Sequence, residues 1–243
     1  MLELNTILDI SRLILGVIIL SYASFTDIKT RKASNYNWVI LGIAGLILLI
    51  IQLYFMTPEQ FETNKYYLIF IPAMIGLVYL LFQLRLIFGG ADAKALMAIA
   101  ILLPFQPQIE ILPIWGPSLM PASWQVFANS IIIFLFIPIS MFFYNIIKRN
   151  IRFPNIFLGY KMKIKKAREK FVWPLERIVD GRKKFSYMPK EFDTTEELDE
   201  FEKNGYDEIW VTPKIPFMIP LLIGFILTFI LGDIMFYLMS LTI

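Results

Sequence analysis

Two residue types are missing from this chain of 243 residues, which contains no cysteine and no histidine. Without histidine, the chain has no His-paired serine or cysteine nucleophile and no H-E-x-x-H zinc site. Without cysteine, it has no thiol nucleophile, no disulfide and no thiolate metal site. We therefore expect no metal and no other cofactor, and any catalysis must use Asp, Glu, Lys, Ser, Thr or Tyr.

Charged residues are also scarce, at 18% of the chain, whereas 57% of the residues are hydrophobic. The mean hydropathy of +0.63 lies outside the range of soluble globular proteins. Several apolar runs approach the ~20 residues that span a bilayer, so the sequence predicts a polytopic α-helical membrane protein. We expect about six transmembrane helices, at residues 6–25, 36–55, 66–88, 92–105, 123–147 and 216–241.

The only long polar region, residues 148–214, predicts a small α+β domain inserted before the last transmembrane helix. The domains are then 1–147, 148–214 and 215–243. The polar region contains a hairpin signal, a capping box that opens a helix ending near Gly205, and two short strands. The hairpin signal lies at Ile178 to Arg182, and the capping box is formed by Thr194 and Glu197. The two strands are predicted at Lys183 to Met188 and at Glu208 to Pro213.

The distribution of basic residues predicts the orientation in the membrane. If the end of the first span faces the cytoplasm, 21 of the 23 Lys and Arg residues lie in cytoplasmic segments, and only Arg12 and Lys65 lie elsewhere. The positive-inside rule therefore favours an integral cell-membrane protein with both termini outside and residues 148–214 in the cytoplasm.

Two carboxylates stand at the ends of apolar runs. Asp27 closes the first run in S-F-T-D-I-K-T-R-K, and Asp92 opens the fourth in F-G-G-A-D-A-K-A-L-M-A. A carboxylate in a membrane segment is costly and indicates a functional site. Two complete spans separate the two residues, so we expect both at the same membrane face. Ala91, Ala95 and Ala98 form a narrow face that permits helices one and four to pack closely.

This pattern suggests an aspartyl protease that works at the membrane surface. Of two close carboxylates only one ionises readily, so one acts as general base while the other donates a proton. Asp92 also faces the positive end of its helix, which favours the charged form. Gly89 and Gly90 fit a turn that needs unusual dihedral angles or a close approach of the backbone to a substrate. Lys94 either anchors the helix at the interface, tunes Asp92 or touches the substrate.

The two motifs resemble those of a known family. G-G-A-D-A-K-A-L-M-A resembles the G-x-G-D-x-K-L-x-A pattern of prepilin peptidases, and Asp27 to Asn35, D-I-K-T-R-K-A-S-N, resembles the family's first aspartate motif. The six-span layout is similar to that of archaeal preflagellin (prearchaellin) peptidases. The resemblance implies a GxGD aspartyl protease whose catalytic pair is Asp27 and Asp92. The supporting residues are then Gly89, Gly90, Lys94 and Asn35.

The resemblance also implies the partners, which are precursors of archaellin or pilin-like subunits and membrane lipids, with no nucleic acid. Such precursors carry a short basic leader before a hydrophobic helix and are cut at the cytoplasmic face. The chain departs from the family at Ala91, which replaces the second Gly, and at Ala33-Ser34, which replaces the Ile-Pro of bacterial relatives. Those relatives carry a Cys-rich insert and methylate the new N-terminus. Because this chain has no cysteine, we expect peptidase activity only.

A cluster of negative charge predicts where a basic leader binds. Residues 191–208 contain nine Asp and Glu against one Lys, whereas residues 148–190 contain 14 Lys and Arg. We expect Glu196, Glu197 and Glu200 to attract the leader. The alternative is that this segment only neutralises the basic residues or solvates the domain.

Two other functions are compatible with this composition. A presenilin-like protease cuts inside the bilayer and needs deep aspartates, whereas basic residues such as Lys29 and Lys94 hold both of these near the surface. A non-enzymatic transporter needs polar residues at the centres of several spans, and this sequence has few.

Overall fold

The computed structural model describes residues 2–87, 89–116, 118–186 and 194–241. The chain separates into two compact units, one formed by Met1–Phe134 with Pro216–Ile243 and the other by Leu135–Ile215. The elements in chain order are α1 (Leu2–Thr30), α2 (Asn35–Phe55), α3 (Pro58–Gln83), α4 (Gly90–Leu102), α5 (Ala122–Ile147), α6 (Asn155–Leu158), β1 (Tyr160–Lys163), α7 (Ile164–Ala167), β2 (Val172–Pro174), β3 (Glu176–Val179), β4 (Arg182–Phe185), α8 (Thr195–Lys203), β5 (Glu208–Pro213), α9 (Met218–Ile230) and α10 (Ile234–Ser240).

By length and composition, four helices could cross a membrane: α1 from Leu4, α2, α3 and α5. The pair α9 and α10, bent by 59°, makes a fifth if it is one broken span. The predicted fourth span corresponds to α4, which has 13 residues. Such a helix is about 20 Å long, shorter than the ~30 Å hydrocarbon core. The prediction of apolar helices is confirmed, while the count of six spans stays a prediction.

Helices α2 and α3 begin at residues that cap them. The Ser34 hydroxyl accepts a hydrogen bond from the Tyr36 amide at 3.3 Å, and α2 starts at the next residue, Asn35. Thr57 and Gln60 form a reciprocal capping box at the start of α3. These bonds satisfy backbone amides that have no partner within the helix, so both starting positions are set by local sequence.

Helix α4 occupies the core of the first unit. Its side chains from Ala93 to Leu102 are mostly buried, and it packs chiefly against α2 and α3. A Cβ at Gly45 of α2 would lie 2.7 Å from Leu102 Cα, so the glycine permits the two backbones to approach. Helix α1 packs chiefly against α9 and α2. The aspartate-bearing helices α1 and α4 therefore share α2 as a neighbour, instead of packing extensively on each other as expected.

The second unit contains an antiparallel sheet of order β1–β5–β2 and a separate hairpin, β3–β4. Asp180 and Gly181 have φ of 56° and 70° and form the hairpin turn, which confirms the predicted turn signal. The strand at Glu208–Pro213 is also confirmed as β5. The core of the unit is formed by side chains of the sheet, α7 and α8, among them Met162, Ile164, Leu198, Phe201 and Ile209.

Two details of this unit differ from expectation or fall outside the described residues. Helix α8 starts at Thr195, but the Thr194 side chain makes no capping hydrogen bond, so the predicted capping box is wrong. Thr194 has φ −102° and ψ 8°, outside the extended conformation that helix caps usually adopt. The second predicted strand is seen as β4, Arg182–Phe185. Ser186 lies beyond its end, and residues 187 and 188 lie outside the described residues.

Candidate active site

Asp27 lies in the last turn of α1 with a partly exposed side chain. The Arg31 amide donates a hydrogen bond to the Asp27 carbonyl at 2.9 Å. Arg31 then takes the left-handed conformation, with φ 55°, and the helix ends. The positive charge of Arg31 also acts on the Asp27 carboxylate. This partner was missed in the sequence, although the four-residue spacing of the two charges is a recognised signal on a helix.

Asp92 is the third residue of α4, and Gly89 is the N-cap. A Cβ at Gly89 would lie 2.7 Å from Asp92 Cγ and closer still to Oδ2. The Asp92 carboxylate therefore folds back over the residue that precedes the helix. Gly89 has φ −87° and ψ 110°, an ordinary extended conformation. The expectation of unusual dihedral angles is wrong here, and the glycine is needed because it leaves room for the carboxylate.

Gly90 is under no such constraint. The nearest atoms to a Cβ at Gly90 belong to the Phe82 ring, at 3.7 and 3.8 Å. This is ordinary van der Waals contact, which a methyl group would make without displacing its neighbours. Of the two glycines that the sequence singles out, only Gly89 is constrained by the carboxylate.

The two carboxylates are close enough to interact. The negative charge of Asp27 acts on Asp92, so the last turn of α1 and the first turn of α4 come to the same end of the first unit. Both side chains keep partial exposure. Two interacting carboxylates do not both ionise readily, and such a pair can supply one base and one acid.

Lys94 and Asn35, both proposed as supporting residues, are also brought together. Lys94 Nζ donates a hydrogen bond to Asn35 Oδ1 at 2.8 Å. The bond connects the first turn of α4 to the first residue of α2, and both side chains are exposed. Lys94 is therefore engaged with another helix, an arrangement that the sequence alone did not specify.

The acidic residues proposed for leader binding belong to the other compact unit. Glu196, Glu197 and Glu200 lie on α8, and residues 191–193 of the acidic segment are outside the described residues. Glu197 and Glu200 line a cavity of about 190 Å³ between α8 and the hairpin strand β3. The proximity of these residues to Asp27 and Asp92 stays a prediction.

Part of this negative charge is balanced within the second unit. Glu197 Oε1 lies 3.8 Å from Arg177 Nε. Asp199 and Glu202, on the same helix, both pair with Arg168. Glu196 and Glu200 have exposed side chains. Some carboxylates of the acidic segment therefore do neutralise basic residues, as the alternative interpretation expects.

The described residues contain no group of three or more Asp and Glu side chains arranged to hold a metal ion. The expectation that no metal takes part is not tested by this finding and stays a prediction.

The apolar helices together with a small α/β unit fit a membrane protease. The sequence profile of the Type IV leader peptidase family matches residues 14–147, and a profile described as Archaeal Peptidase A24 C-terminus Type II matches residues 152–234. The first match covers more than half of the chain. The chain therefore belongs to the type IV leader peptidase family.

Similar proteins support the same assignment over almost the full length. The preflagellin peptidase of Methanocaldococcus jannaschii is 30% identical over 236 residues, covering 90% of this chain and 93% of the relative. The preflagellin peptidases of Methanococcus maripaludis and Methanococcus voltae are each 29% identical, over 230 and 238 residues, and cover 90% of this chain and 94% of the relative. The similarity therefore includes both compact units.

Proposed function

We propose that this protein is a membrane aspartyl endopeptidase that removes short basic leaders from preflagellin-like or prepilin-like precursors. The observation that carries the proposal is the placement of the two motif aspartates at helix ends of the same unit, Asp27 in the last turn of α1 and Asp92 in the first turn of α4, where the charge of Asp27 acts on Asp92. Both residues lie in the motifs that resemble the family's. The relatives' names indicate the substrate. Asp27 and Asp92 are the proposed catalytic residues, and the reaction needs no metal and no other cofactor.

The proposed reaction uses the two carboxyl groups in complementary states. The ionised carboxylate takes a proton from water while the water oxygen bonds to the scissile carbonyl carbon, and the protonated carboxyl gives its proton to the carbonyl oxygen. The resulting diol collapses when the C–N bond breaks. The amide nitrogen then receives a proton from the first carboxyl, and a diol hydroxyl returns one to the second. The products are a leader with a free carboxyl group and a mature subunit with a free amine.

We assign the base and acid roles to the pair and not to one residue each. Arg31 acts on Asp27, and the amino end of α4 lies next to Asp92. Each environment can stabilise a negative charge. Because the apparent pKa values of two coupled carboxyl groups belong to the pair and not to either residue, neither member is assigned alone as the base.

The proposed topology has six spans, with α4 as the short fourth span and α9 with α10 as the sixth. Both termini are outside, and residues 148–214 and the two aspartates face the cytoplasm. The 21 basic residues that this orientation places in the cytoplasm support the proposal. A leader that stays on the cytoplasmic side during export would meet the aspartates there.

We further propose that Glu196, Glu197 and Glu200 attract the leader. The exposure of Glu196 and Glu200 and the cavity beside Glu197 and Glu200 support this role. Arg177 also lines the cavity and pairs with Glu197. A basic side chain there would therefore meet the carboxylate of Glu200 and the apolar side chains of Ile178 and Phe201 for its stem. Methylation of the new N-terminus is not part of the proposed function.

A cleavage assay tests the proposal. Purified full-length protein in detergent is incubated with a preflagellin, and the products are identified by mass spectrometry. We expect one cut, at the junction of the leader and the hydrophobic helix, no methylation of the product and no effect of EDTA. Cleavage inside the hydrophobic helix would instead favour a presenilin-like protease. An intact precursor, with the protein folded, would contradict protease function.

A further inference from the structure

A buried polar network lies in the apolar part of the first unit, far from the two aspartates. Arg12 Nη1 donates to Asp9 Oδ1 at 2.9 Å, and Arg12 Nη2 donates to Gln52 Oε1 at 2.7 Å. The backbone amide of Gln108 donates to Asp9 Oδ2 at 2.9 Å. Asp9 is 4% exposed and Arg12 is 1% exposed. The network therefore joins α1, α2 and the chain that follows α4.

Each element joined by the network also carries a residue of the candidate site at its other end. Helix α1 carries Asp27, 18 residues after Asp9, which is about 27 Å along a helix. Helix α2 begins with Asn35 and reaches Gln52 after a similar distance. Helix α4 carries Asp92 in its first turn and leads to Gln108 beyond its end. The network and the site thus stand at opposite ends of the same three elements.

Helices α1 and α4 make little direct contact with each other. Helix α1 packs chiefly on α9 and α2, whereas α4 packs chiefly on α2 and α3. Within the described residues, the Asp9–Gln108 bond is a polar link between α1 and the chain after α4. Helix α2 and this network therefore both connect α1 with the segment of chain that carries Asp92.

Stability alone gives a poor reason for such a network. A buried ion pair costs desolvation, and replacing it with well-packed apolar side chains is often neutral or stabilising. In some helical proteins, such as coiled coils, a buried polar group selects one register of the packed helices. Among the described residues, Arg12 Nε has no hydrogen-bond partner. The guanidinium therefore bonds to Asp9 and Gln52 while its third nitrogen stays buried without a bond, which costs desolvation free energy.

We propose that Asp9, Arg12 and Gln52 are positioning residues that set the register of α1 against α2 and the chain after α4, and thereby place Asp27 relative to Asp92. The inference rests on the proposed function only for its effect on catalysis. The effect on the placement of helices is independent of whether the aspartates are catalytic.

Kinetics supply the first test. In Gln52→Leu, Arg12 loses one acceptor, and we expect kcat to fall about tenfold to a hundredfold because small misplacements of reacting groups are costly. KM for a preflagellin should stay within about twofold, because the network lies away from the residues proposed to bind the leader. Gln52→Glu keeps an acceptor for Arg12 and should retain most of the activity. Ser11→Ala is the matched control, since the Ser11 hydroxyl donates a hydrogen bond to the Ile7 carbonyl of its own helix.

Cross-linking supplies a second readout that does not need activity. The chain has no cysteine, so the double variant Asp27→Cys/Asp92→Cys contains only the two thiols of interest. Thiol-reactive cross-linkers of increasing length should join them over a narrow range of lengths. Adding Gln52→Leu should shift or broaden that range, whereas adding Gln52→Glu or Ser11→Ala should leave it unchanged.

The outcomes separate the possible roles. Folded Gln52→Leu protein with a lower thermal midpoint but unchanged kcat and cross-linking range would overturn the proposal, because the network would then only stabilise the fold. A rise in KM alone would also overturn it. A shifted cross-linking range in a protein that never cleaves a precursor would support the positioning role and reject the proposed function. If Gln52→Leu fails to fold, Arg12→Lys replaces it. Lysine keeps the charge but lacks the fork that reaches both acceptors.

Discussion

Lys94 and Asn35 are 59 residues apart in the chain, yet the Lys94 ammonium donates a hydrogen bond to the Asn35 amide oxygen at 2.8 Å. The bond holds the first turn of α4, which carries Asp92, against the start of α2. Asn35 lies eight residues after Asp27 in the first motif, and Lys94 lies two residues after Asp92 in the second. The contact therefore connects the two motifs.

If this bond matters for activity, removing either partner should have the same effect. At an exposed position the bond is worth about 1 kcal/mol, so we expect Lys94→Met and Asn35→Leu each to lower kcat/KM about fivefold. The double variant should lose no more than either single variant. Lys32→Met, at an exposed lysine between α1 and α2, is the control. Additive losses would show that Lys94 acts apart from Asn35, for instance on the substrate.

Asp27→Asn and Asp92→Asn should each abolish cleavage in a protein that remains folded. A carboxylate pair needs both members, so each single variant should lose roughly a thousandfold or more in kcat, and the double variant little more. Asp233→Asn is the control. Asp233 is also a buried carboxylate at a helix end, where Oδ2 accepts a hydrogen bond from the Ser118 hydroxyl and Oδ1 accepts one from the Phe236 amide. The Asn carbonyl oxygen can keep the bond from the Phe236 amide, and its NH2 group can donate to the Ser118 hydroxyl oxygen. Substantial activity in Asp27→Asn or Asp92→Asn would reject the pair.

The two glycines before Asp92 should respond differently to the same change. Gly89→Ala places a methyl group where the Asp92 carboxylate lies, so the carboxylate must move. We expect about a hundredfold loss of kcat. The methyl group of Gly90→Ala would make an ordinary van der Waals contact with the Phe82 ring. This variant should keep near wild-type activity. Equal tolerance of both variants would show that Asp92 does not fold back over Gly89 in the working enzyme.

Thiol labelling of the Cys-free chain tests the topology. Thr63 has an exposed side chain on α3, and Thr63→Cys should react with an impermeant maleimide added outside the cell. Glu169→Cys, exposed in the second unit, should react only after the membrane is opened. Thr57 is a poorer position because its hydroxyl caps α3. The opposite labelling pattern would reverse the proposed orientation.

The role of the acidic helix α8 can be tested with two double variants that each remove two negative charges. Glu196→Gln/Glu200→Gln removes two exposed carboxylates, whereas Asp199→Asn/Glu202→Gln removes two that pair with Arg168. We expect the first pair to raise KM for a native leader, with kcat nearly unchanged and with the effect lost at high salt. Adding Glu197→Gln should raise KM further. The effect should shrink for a leader whose Lys and Arg are replaced. Equal effects of the two pairs, or no effect, would remove the leader-binding role.

The family, the apolar helices and the hairpin in the second unit could all be predicted from sequence. Each depends on local information. Apolar runs as long as a bilayer is thick indicate helices, because a helix satisfies its backbone hydrogen bonds within the segment. The Asp-Gly pair at 180 and 181 permits the positive φ values that the turn requires. The two short motifs around Asp27 and Asp92 were sufficient to recognise the type IV leader peptidase family.

Other features were decided by tertiary structure because they depend on contacts between residues that are distant in the chain. Gly89 is needed for space beside a folded-back carboxylate and not for its dihedral angles, which no property of the dipeptide Gly-Gly reveals. The partner of Lys94, and the network from Asp9 through Arg12 to Gln52, arise from the way α1, α2 and α4 pack. Local sequence determined the elements and the chemical groups at their ends, and packing determined which of those groups meet.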